Sequence, residues 1–329
     1  MKTILAYRFS AFGDVAMIAP VFREFLEQNP EVRIVMVSRQ NFEDLFSDIP
    51  NVEFVGLDLD DYKGFLGLRK LGNRLVNKFQ PDFIADFHDV IRTKILNKVF
   101  KYKGYSVFKI DKAKEEKVEL TDVWNLDKKQ LKQTVERYAD ILRNMGFSLE
   151  LSHQLKPEQL EKTGIGIAPF AQHFGKMLSL EKSFEVAKKL SEDHKLYFFG
   201  GGKNEIKVLK KWEAEIPNST SVAGKLTLKE ELDIISKLKL MISMDSANMH
   251  LASLVGTRCV SIWGSTHPFA GFLGYGQKLE DAVQIKDLTC RPCSVFGDKE
   301  CYRGDWACLN EISVEQILDK VALAMRSLS

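Results

Sequence analysis

The 329-residue sequence lacks a long hydrophobic run, a secretory leader and a large net charge. No apolar stretch reaches the roughly 18 residues of a membrane span, and the N-terminus lacks the charged start, apolar core and cleavage site of a signal peptide. We therefore expect a cytoplasmic protein. The formal charge of +2, from 47 basic and 45 acidic residues, argues against a general nucleic-acid binder. We accordingly expect no nucleic acid among the partners.

The sequence also lacks both common glycine-rich nucleotide motifs, the P-loop and the G-x-G-x-x-G dinucleotide fingerprint. A nucleotide-dependent oxidoreductase on tandem Rossmann-like domains would explain glycines at strand ends, but it predicts the missing fingerprint. A different glycine run, 200–202, follows a predicted strand and lets the backbone approach a ligand closely. Glu205, just after it, is suited to accept hydrogen bonds from ribose hydroxyls.

Cysteine is scarce, with five in the chain, and histidine does not accompany the four that cluster near the C-terminus. That cluster consists of Cys290, Cys293, Cys301 and Cys308. The C-x-x-C pair brings a structural zinc site into consideration, but the second pair is spaced more widely than in usual zinc sites. The alternative is a packed cysteine-rich loop. Cys259 lies in a predicted strand and is interpreted as a small core residue.

What the chain does contain is an alternation of apolar strands and amphipathic helices, which predicts an α/β fold with parallel sheets. A polar stretch at 152–163 separates two such runs and is interpreted as a linker. We predict an N-terminal Rossmann-like domain at 1–155 and a second at 164–312, whose strand ends face each other across a cleft. A final helix at about 313–329 could pack back on the first domain.

The predicted elements of the two runs can be given by number. In the first run, strands are predicted at 2–8, 32–38 and 82–87, with helices at 16–28, around 69–79 and at 129–145. In the second run, strands are predicted at 164–169, 195–199, 240–244 and 258–263, and the final helix at 313–327.

Charge is unevenly distributed along the sequence. The segment from Arg92 to Lys117 contains nine Lys or Arg residues but only three Asp or Glu residues. Aromatic residues are interleaved with these charges. One interpretation is an ordinary solvated helix face and loop. The other is a docking surface for an anionic acceptor or for lipid head groups. His88 and Arg92, just after the strand at 82–87, are candidate contacts for such an acceptor.

The most informative segment is 240–268, where a strand ends at Asp245 as a helix begins. Asp245 or Ser246 can cap that helix, and its unpaired amides attract anions. Asp245 and His250 can be turned toward a ligand. The next strand is followed by a segment of small, hydroxylated and ionisable residues, 264–268, at the same edge of the sheet.

Two further residues sit at strand ends where each has a plain and a functional interpretation. Asp14 begins the first helix, where it is either an N-cap or a general base for an attacking hydroxyl. Lys176 lies in a polar loop after the strand at 164–169. It is either a solvated lysine or a point charge for a phosphate oxygen.

Taken together, several motifs resemble the bacterial heptosyltransferases of glycosyltransferase family 9. They occur in the expected order over nearly the whole chain: R-F-S-A-F-G-D-V from residue 8, the loop with Lys176, G-G-G-K-N-E, A-G-K-L-T-L, D-S-A-N-M-H-L-A, W-G-S-T-H-P and a C-x-P-C segment.

This resemblance implies a GT-B fold and inverting, metal-independent transfer of a heptose or related sugar. The implied donor is a nucleoside diphosphate sugar, typically ADP-heptose, and the implied acceptor is the lipid-linked lipopolysaccharide core, with no cofactor required. Position by position, Asp14 matches the catalytic base, and Arg8 lies in the acceptor half with His88 and Arg92. The implied donor-binding residues are Lys176, Glu205, Leu226, Asp245, Ser246, Ala247 and His250. A peripheral contact with the cytoplasmic face of the inner membrane is an option that the sequence leaves open.

A non-catalytic alternative also remains at this point. In it, the chain is a degenerate sugar- or nucleotide-binding module with a structural zinc site. The cysteine cluster favours this alternative, as do Leu178 and Ala247, which stand where the family often has other residues.

Overall fold

A computed structural model describes residues 1–156 and 162–326 of the chain. Part of the predicted linker and the last three residues of the predicted final helix lie outside these ranges. The contacts divide the chain into two compact units: unit 1 comprises Met1–Lys112 and Thr134–Ser152, and unit 2 comprises Ala113–Gln133 and the chain from His153 onward.

Unit 1 is built around a parallel sheet of five strands in the order β3-β2-β1-β4-β5. Its strands are β1 Lys2–Tyr7, β2 Val32–Arg39, β3 Val52–Leu57, β4 Phe83–Asp86 and β5 Val107–Lys109. Its helices are α1 Phe12–Ala16, α2 Ile18–Gln28, α3 Gly64–Phe79, α4 Ile91–Tyr102 and α6 Thr134–Arg143. The central strands are buried almost completely, which is why they consist of nearly continuous apolar residues.

Unit 2 has a second parallel sheet, in the order β11-β10-β9-β6-β7-β8. Its strands are β6 Ile165–Ala168, β7 Leu196–Phe198, β8 Ser219–Ser221, β9 Leu240–Met244, β10 Cys259–Ile262 and β11 Ala282–Val283. Its helices are α5 Lys114–Thr121, α7 Leu180–Leu190, α8 Lys203–Glu215, α9 Leu228–Ser236, α10 Ala247–Leu254, α11 Ala307–Asn310 and α12 Val314–Arg326. The predicted pair of α/β units with parallel sheets is confirmed.

The strand order reverses once in each sheet, between β1 and β4 in unit 1 and between β6 and β9 in unit 2. Two connections leave such a junction in opposite directions, which opens a crevice at the carboxyl ends of the strands. Ligands of open α/β sheets bind at that crevice. The residues that follow β1, β4, β6 and β9 are therefore the first candidates for a site.

The segment 113–133 differs from its predicted place in the first domain, because it belongs to unit 2. The Lys117 ammonium lies 4.6 Å from the Phe272 ring centroid, and the Trp124 and Tyr302 ring centroids are 5.7 Å apart. The Leu131 amide donates to Phe269 O at 2.9 Å. The helix predicted at 129–145 accordingly begins only at Thr134, since residues before it pair with a loop of unit 2.

The last helix, α12, also differs from its predicted packing on the first domain. Ile317, Val321 and Ala324 are buried in the core of unit 2, together with Val186 and Leu190 of α7. Apolar burial of this kind stabilises the helix against its own unit. Cys259 is buried in β10, which confirms its interpretation as a core residue.

Candidate functional site

In unit 1 the predicted residues Arg8, Asp14 and His88 come together at the junction of β1 and β4. Arg8 follows β1 and is buried; its Nη2 lies 2.8 Å from Asp14 Oδ2, and its Nη1 donates to Phe87 O at 2.5 Å. Asp14 Oδ2 also accepts from the Ala11 amide at 3.3 Å. No contact of the described residues reaches Asp14 Oδ1. The carboxylate is thus oriented through one oxygen.

The charge of Arg8 is fixed by its surroundings. Burial opposes ionisation, but the nearby Tyr138, Asp14 and Asp86 more than offset burial, so the pKa of Arg8 is raised. The guanidinium lies 5.8 Å from the Tyr138 ring centroid, and the Tyr138 hydroxyl donates to Asp14 O at 3.3 Å. Sequence reasoning missed Tyr138, since it lies on α6, far along the chain from Arg8.

His88 is buried beside Arg8 and accepts a hydrogen bond from the Phe9 amide at Nδ1, at 3.4 Å. Its Nε2 lies 3.3 Å from Ser10 Oγ. Burial, with help from the cations Arg8 and Lys112, lowers its pKa to about 3. The imidazole is therefore neutral at neutral pH and acts as a hydrogen-bonding group rather than as a cation.

Arg92 differs from Arg8 in being part of a helix start rather than a buried strand end. It is half-buried in the first turn of α4. Asp86, at the end of β4, shapes the intervening loop by accepting from the His88 and Asp89 amides at 2.8 and 2.9 Å. Asn97 donates to its other oxygen at 2.7 Å.

In unit 2 the predicted residues Lys176 and Asp245 form an ion pair at the junction of β6 and β9. Lys176 Nζ lies 2.9 Å from Asp245 Oδ2, and the two side chains are 16% and 4% exposed. Thr266 Oγ1 donates to the same oxygen at 2.8 Å. No described contact reaches Asp245 Oδ1, so this carboxylate too is fixed through one oxygen.

The helix after Asp245, α10, begins with Ser246 as its N-cap residue. Ser246 and Ala247 are half-buried, and no side chain caps the helix. The first-turn amides therefore keep their capacity to bind an anion. His250 is buried on the same helix, one turn further on.

Glu205 and Leu226 belong to a second group, at the ends of β7 and β8. Glu205 Oε2 accepts from the Gly201 and Gly202 amides at 2.8 and 3.4 Å, so this carboxylate closes the glycine turn. Gly224 packs so tightly against Ile206 that an added Cβ would lie 2.4 Å from Ile206 Cδ1. This contact brings the turn with Leu226 next to the start of α8.

Three glycines allow the loops around Lys176 to approach one another. A Cβ on Gly175 would lie 2.4 Å from Ser265 Oγ, and one on Gly264 would lie 2.5 Å from Gly175 O. Gly297 has φ +76°, and its Cβ would lie 2.6 Å from Lys176 Cγ. The loop of the cysteine cluster therefore touches the Lys176 loop directly.

Arg291, which sequence reasoning missed, ties the cysteine loop to the end of β10. It is buried and donates to Gly264 O at 2.5 Å and to Thr266 O at 2.8 Å. Burial lowers its pKa to about 10, although nearby cysteines and Asp245 oppose this, so it remains a cation at neutral pH. Its place inside the C-x-P-C segment was the available signal.

His267 follows Thr266 and is fixed by a hydrogen bond from the Phe269 amide to Nδ1, at 3.0 Å. Burial and the nearby Arg291 lower its pKa to about 3, so it is neutral at neutral pH.

The four clustered cysteines line one small cavity of about 10 Å³. Among the residues that the structure describes, however, no group of three or more His, Cys, Asp or Glu side chains is arranged to hold a metal ion. Burial raises the pKa of Cys308 to about 12, and that of Cys293 is also raised, so these thiols are protonated.

A larger groove of about 440 Å³ lies beside the Lys176 loop and is lined by Met177, Leu178 and Trp306, among others. None of the predicted donor-binding residues lines it. No helix in the described ranges is both long and apolar enough to cross a membrane.

Comparison with known proteins supports the resemblance in the sequence. The chain is 25% identical over 318 residues to lipooligosaccharide heptosyltransferase 2 of Campylobacter jejuni, covering 94% of this chain and 93% of the relative. It is 24% identical over 288 residues to the lipopolysaccharide core heptosyltransferase OpsX of Haemophilus influenzae, covering 81% and 80%.

Solved structures share the fold. A family 9 glycosyl transferase from Veillonella parvula has a TM-score of 0.73 at 17% identity, with 99% of this chain and 98% of that chain covered. ADP-heptose lps heptosyltransferase II of E. coli has a TM-score of 0.70 at 17% identity, with 99% of both chains covered. The fold is therefore GT-B, as predicted.

The model of glycosyltransferase family 9 (heptosyltransferase) matches residues 69–301, which is more than half of the chain. The match takes in the Lys176–Asp245 pair, the glycine turn with Glu205 and most of the cysteine cluster. The chain belongs to glycosyltransferase family 9, and it is a glycosyltransferase of the heptosyltransferase type.

Proposed function

We propose that this enzyme transfers a heptose from ADP-heptose to the lipid-linked core of lipopolysaccharide, with inversion at the anomeric carbon and without a metal ion. The observation that carries this proposal is the ion pair of Lys176 and Asp245 at the strand reversal of unit 2, beside the start of α10. A cation, a helix N-terminus and a fixed carboxylate together suit a sugar diphosphate. The names of the Campylobacter and Haemophilus relatives support the acceptor, and a structural neighbour, E. coli WaaC, was solved with an ADP-heptose analogue.

The donor occupies unit 2 in this proposal. Its diphosphate binds Lys176 and the amides at Ser246 and Ala247, where both the side chain and the helix dipole favour negative charge. Asp245, held through Oδ2, uses Oδ1 for the sugar hydroxyls. His250, one turn further along the same helix, also binds the donor.

The nucleoside end of the donor extends to the second group of residues. Glu205 uses Oε1 for the ribose, because its Oε2 already holds the glycine turn. The backbone at Leu226 contacts the adenine.

Unit 1 supplies the acceptor residues. Arg8, His88 and Arg92 bind the acceptor, and Asp14 Oδ1 removes the proton of its attacking hydroxyl. The hydroxyl oxygen forms a bond to the anomeric carbon as the bond from that carbon to the β-phosphate oxygen breaks, which releases ADP. Attack opposite to the leaving group inverts the configuration, and Lys176 with the α10 amides stabilises the departing diphosphate.

The assignment of the base and the donor lysine is tested by steady-state kinetics with ADP-heptose and a core oligosaccharide. Asp14→Asn is expected to lower kcat about 100-fold or more with nearly unchanged ADP affinity, since the base acts on the acceptor. Lys176→Met is expected to raise the donor KM about tenfold or more, since it removes a charged hydrogen bond.

Matched controls are Asp61→Asn in unit 1 and Lys188→Met in unit 2, both at exposed positions. They are expected to leave kcat and KM unchanged. Normal turnover of Asp14→Asn would refute the base assignment.

Loss of activity with a chelator, restored by a divalent metal, would refute the metal-independent mechanism. Nucleotide binding without transfer from any sugar donor would favour the non-catalytic module.

We also propose that the enzyme acts at the cytoplasmic face of the inner membrane, because the proposed donor is a soluble nucleotide sugar and the proposed acceptor is lipid-linked. Fractionation of cells that express the protein tests this location. Recovery from the periplasm would refute it.

A further inference from the structure

Two neighbouring helices of unit 1, α3 and α4, carry positive charge without any negative charge. Each contains four Lys or Arg residues and no Asp or Glu. Other long helices of the described chain, such as α7, mix acidic and basic residues. A uniform positive sign over two adjacent helices therefore distinguishes this side of unit 1 from the other long helices that the structure describes.

The two helices lie side by side because a glycine permits their close approach. A Cβ on Gly72 of α3 would lie 2.9 Å from Val99 Cγ1 of α4 and 3.5 Å from the Phe100 ring. Their apolar sides are buried, and Arg69, Lys70, Lys94, Lys98 and Lys101 are all exposed. We call the exposed side of helices 64–79 and 91–102 the α3–α4 face.

Among the residues that the structure describes, most of these cations form no ion pair. Lys78 lies 3.6 Å from Glu53, and Arg74 donates to the Tyr62 hydroxyl at 2.7 Å. Within the described residues, none of the five exposed cations at positions 69, 70, 94, 98 and 101 forms an ion pair. Three acidic residues, Asp58, Asp60 and Asp61, lie just before α3 in the sequence, and Lys63 lies 3.2 Å from Asp60.

Large apolar side chains are exposed at the start of both helices. Phe65 and Leu66 on α3 are 56% and 75% exposed, and Ile91 on α4 is 81% exposed. Both helices follow strands of the parallel sheet, so both start at its carboxyl edge, the edge that holds Arg8, Asp14 and His88. Exposed apolar side chains beside unpaired cations are typical of surfaces that enter the headgroup region of a bilayer.

We propose that the α3–α4 face docks on the surface of an anionic bilayer. Phe65, Leu66 and Ile91 insert at the headgroup boundary, and the cations bind lipid phosphates, each contributing to a Coulombic attraction that salt screens. Docking in this way brings the carboxyl edge with Asp14 to the surface where a lipid-linked acceptor is anchored. The choice of acceptor rests on the proposed function, whereas the docking itself does not.

Sedimentation with lipid vesicles tests the proposal. The full-length protein is mixed with phosphatidylcholine vesicles that contain about one third phosphatidylglycerol, and with vesicles of phosphatidylcholine alone. Binding is expected only to the anionic vesicles and is expected to fall as salt is raised. Lys94→Glu/Lys98→Glu reverses two charges one helical turn apart and is expected to weaken binding at least about tenfold. Ile91→Asp leaves the surface cations unchanged and is also expected to weaken vesicle binding.

The matched control is Lys207→Glu/Lys211→Glu, which makes the same change at the same spacing on exposed residues of α8 in unit 2. It is expected to bind like the wild type. Equal binding by all variants, or no binding by the wild type, would overturn the proposal. Near-ultraviolet circular dichroism of each variant shows that a loss of binding is not a loss of fold.

Activity separates this proposal from the proposed function. On an acceptor embedded in vesicles, Lys94→Glu/Lys98→Glu is expected to lose activity, while on a soluble core oligosaccharide it keeps wild-type rates. Transfer to the soluble acceptor without vesicle binding would overturn only the docking. Vesicle binding without transfer from any donor would overturn only the proposed function.

Discussion

At the scale of single residues, the two units use the same device: a carboxylate whose Oδ2 is held by a cation. Asp14 is paired with Arg8 in unit 1, and Asp245 is paired with Lys176 in unit 2. The difference lies in the cations. The planar guanidinium of Arg8 is fixed by its hydrogen bond to a backbone carbonyl, whereas the ammonium of Lys176 is carried on a flexible side chain and can move to a phosphate. In the proposed function, the first pair orients the base and the second exchanges partners when the donor binds.

His267 gives a prediction about pH. Its pKa falls from 6.5 to about 3 on folding, so between these values the unfolded chain binds a proton that the folded chain does not. Stability is therefore expected to decline as the pH falls from about 6.5 toward 3. His267→Asn keeps an acceptor for the Phe269 amide but does not titrate, so its loss of stability over this range is expected to be smaller.

Denaturant titrations of both proteins between pH 7 and 4 measure this difference. The wild type and His267→Asn have to be compared because other titratable groups also contribute to the pH dependence of stability. The pKa of His88 is lowered in the same way, while burial raises the pKa of Glu231 to about 7. Glu231 therefore stabilises the fold at low pH and loses that contribution as the pH rises. Parallel pH profiles for the two proteins would contradict the prediction.

At the scale of elements, the site of unit 2 depends on loops that approach more closely than side chains would allow. Gly297 lies in the cysteine loop with a positive φ and its α-hydrogen directed at the Lys176 side chain. The cysteine loop thus lies directly against the Lys176 side chain.

Gly297→Ala is expected to weaken donor binding, because the added methyl group displaces Lys176. Gly304→Ala is the matched control, since Gly304 has φ +79° and nothing within 4 Å of its Cβ position. Both changes are expected to lower the free energy of unfolding by about 1–2 kcal/mol through backbone strain. Only Gly297→Ala is expected to raise the Kd for ADP, measured by calorimetry. An equal effect of both substitutions on ADP binding would show that strain alone is responsible.

At the scale of the whole molecule, each unit has its own parallel sheet, strand reversal and set of polar residues at that reversal. If unit 2 alone holds the nucleotide, ADP is expected to stabilise the full-length protein through residues of that unit. At a concentration of 100 Kd, a ligand that binds only the folded state contributes about 2.7 kcal/mol.

Thermal unfolding with ADP, UDP and GDP measures this effect. ADP is expected to raise the melting temperature most, and Lys176→Met is expected to need a higher ADP concentration for the same shift. Asp14→Asn is expected to shift like the wild type. A shift that depends on Asp14, or a preference for UDP or GDP, would contradict the assignment of an ADP sugar to unit 2.

Much of the fold could be predicted from the sequence, because strands buried on both faces are continuous apolar runs that end in glycine or polar residues. β9 was predicted at its observed bounds, and β1, β2, β4, β6, β7 and β10 within one or two residues at each end. The strands β3, β5, β8 and β11 were missed. They lie toward the outside of the sheets, where most are short or only partly buried and the apolar pattern is weak.

The sequence by itself determined the α/β class, the order of the motifs and the residue types at each strand end, since local patterns encode local structure. Only the tertiary structure decided which partners those residues have: Arg8 with Asp14, Lys176 with Asp245, Arg291 with the end of β10. It also decided that 113–133 and α12 belong to unit 2, and that α3 and α4 present one cationic face. These are contacts between distant parts of the chain, and they depend on packing that no local pattern records.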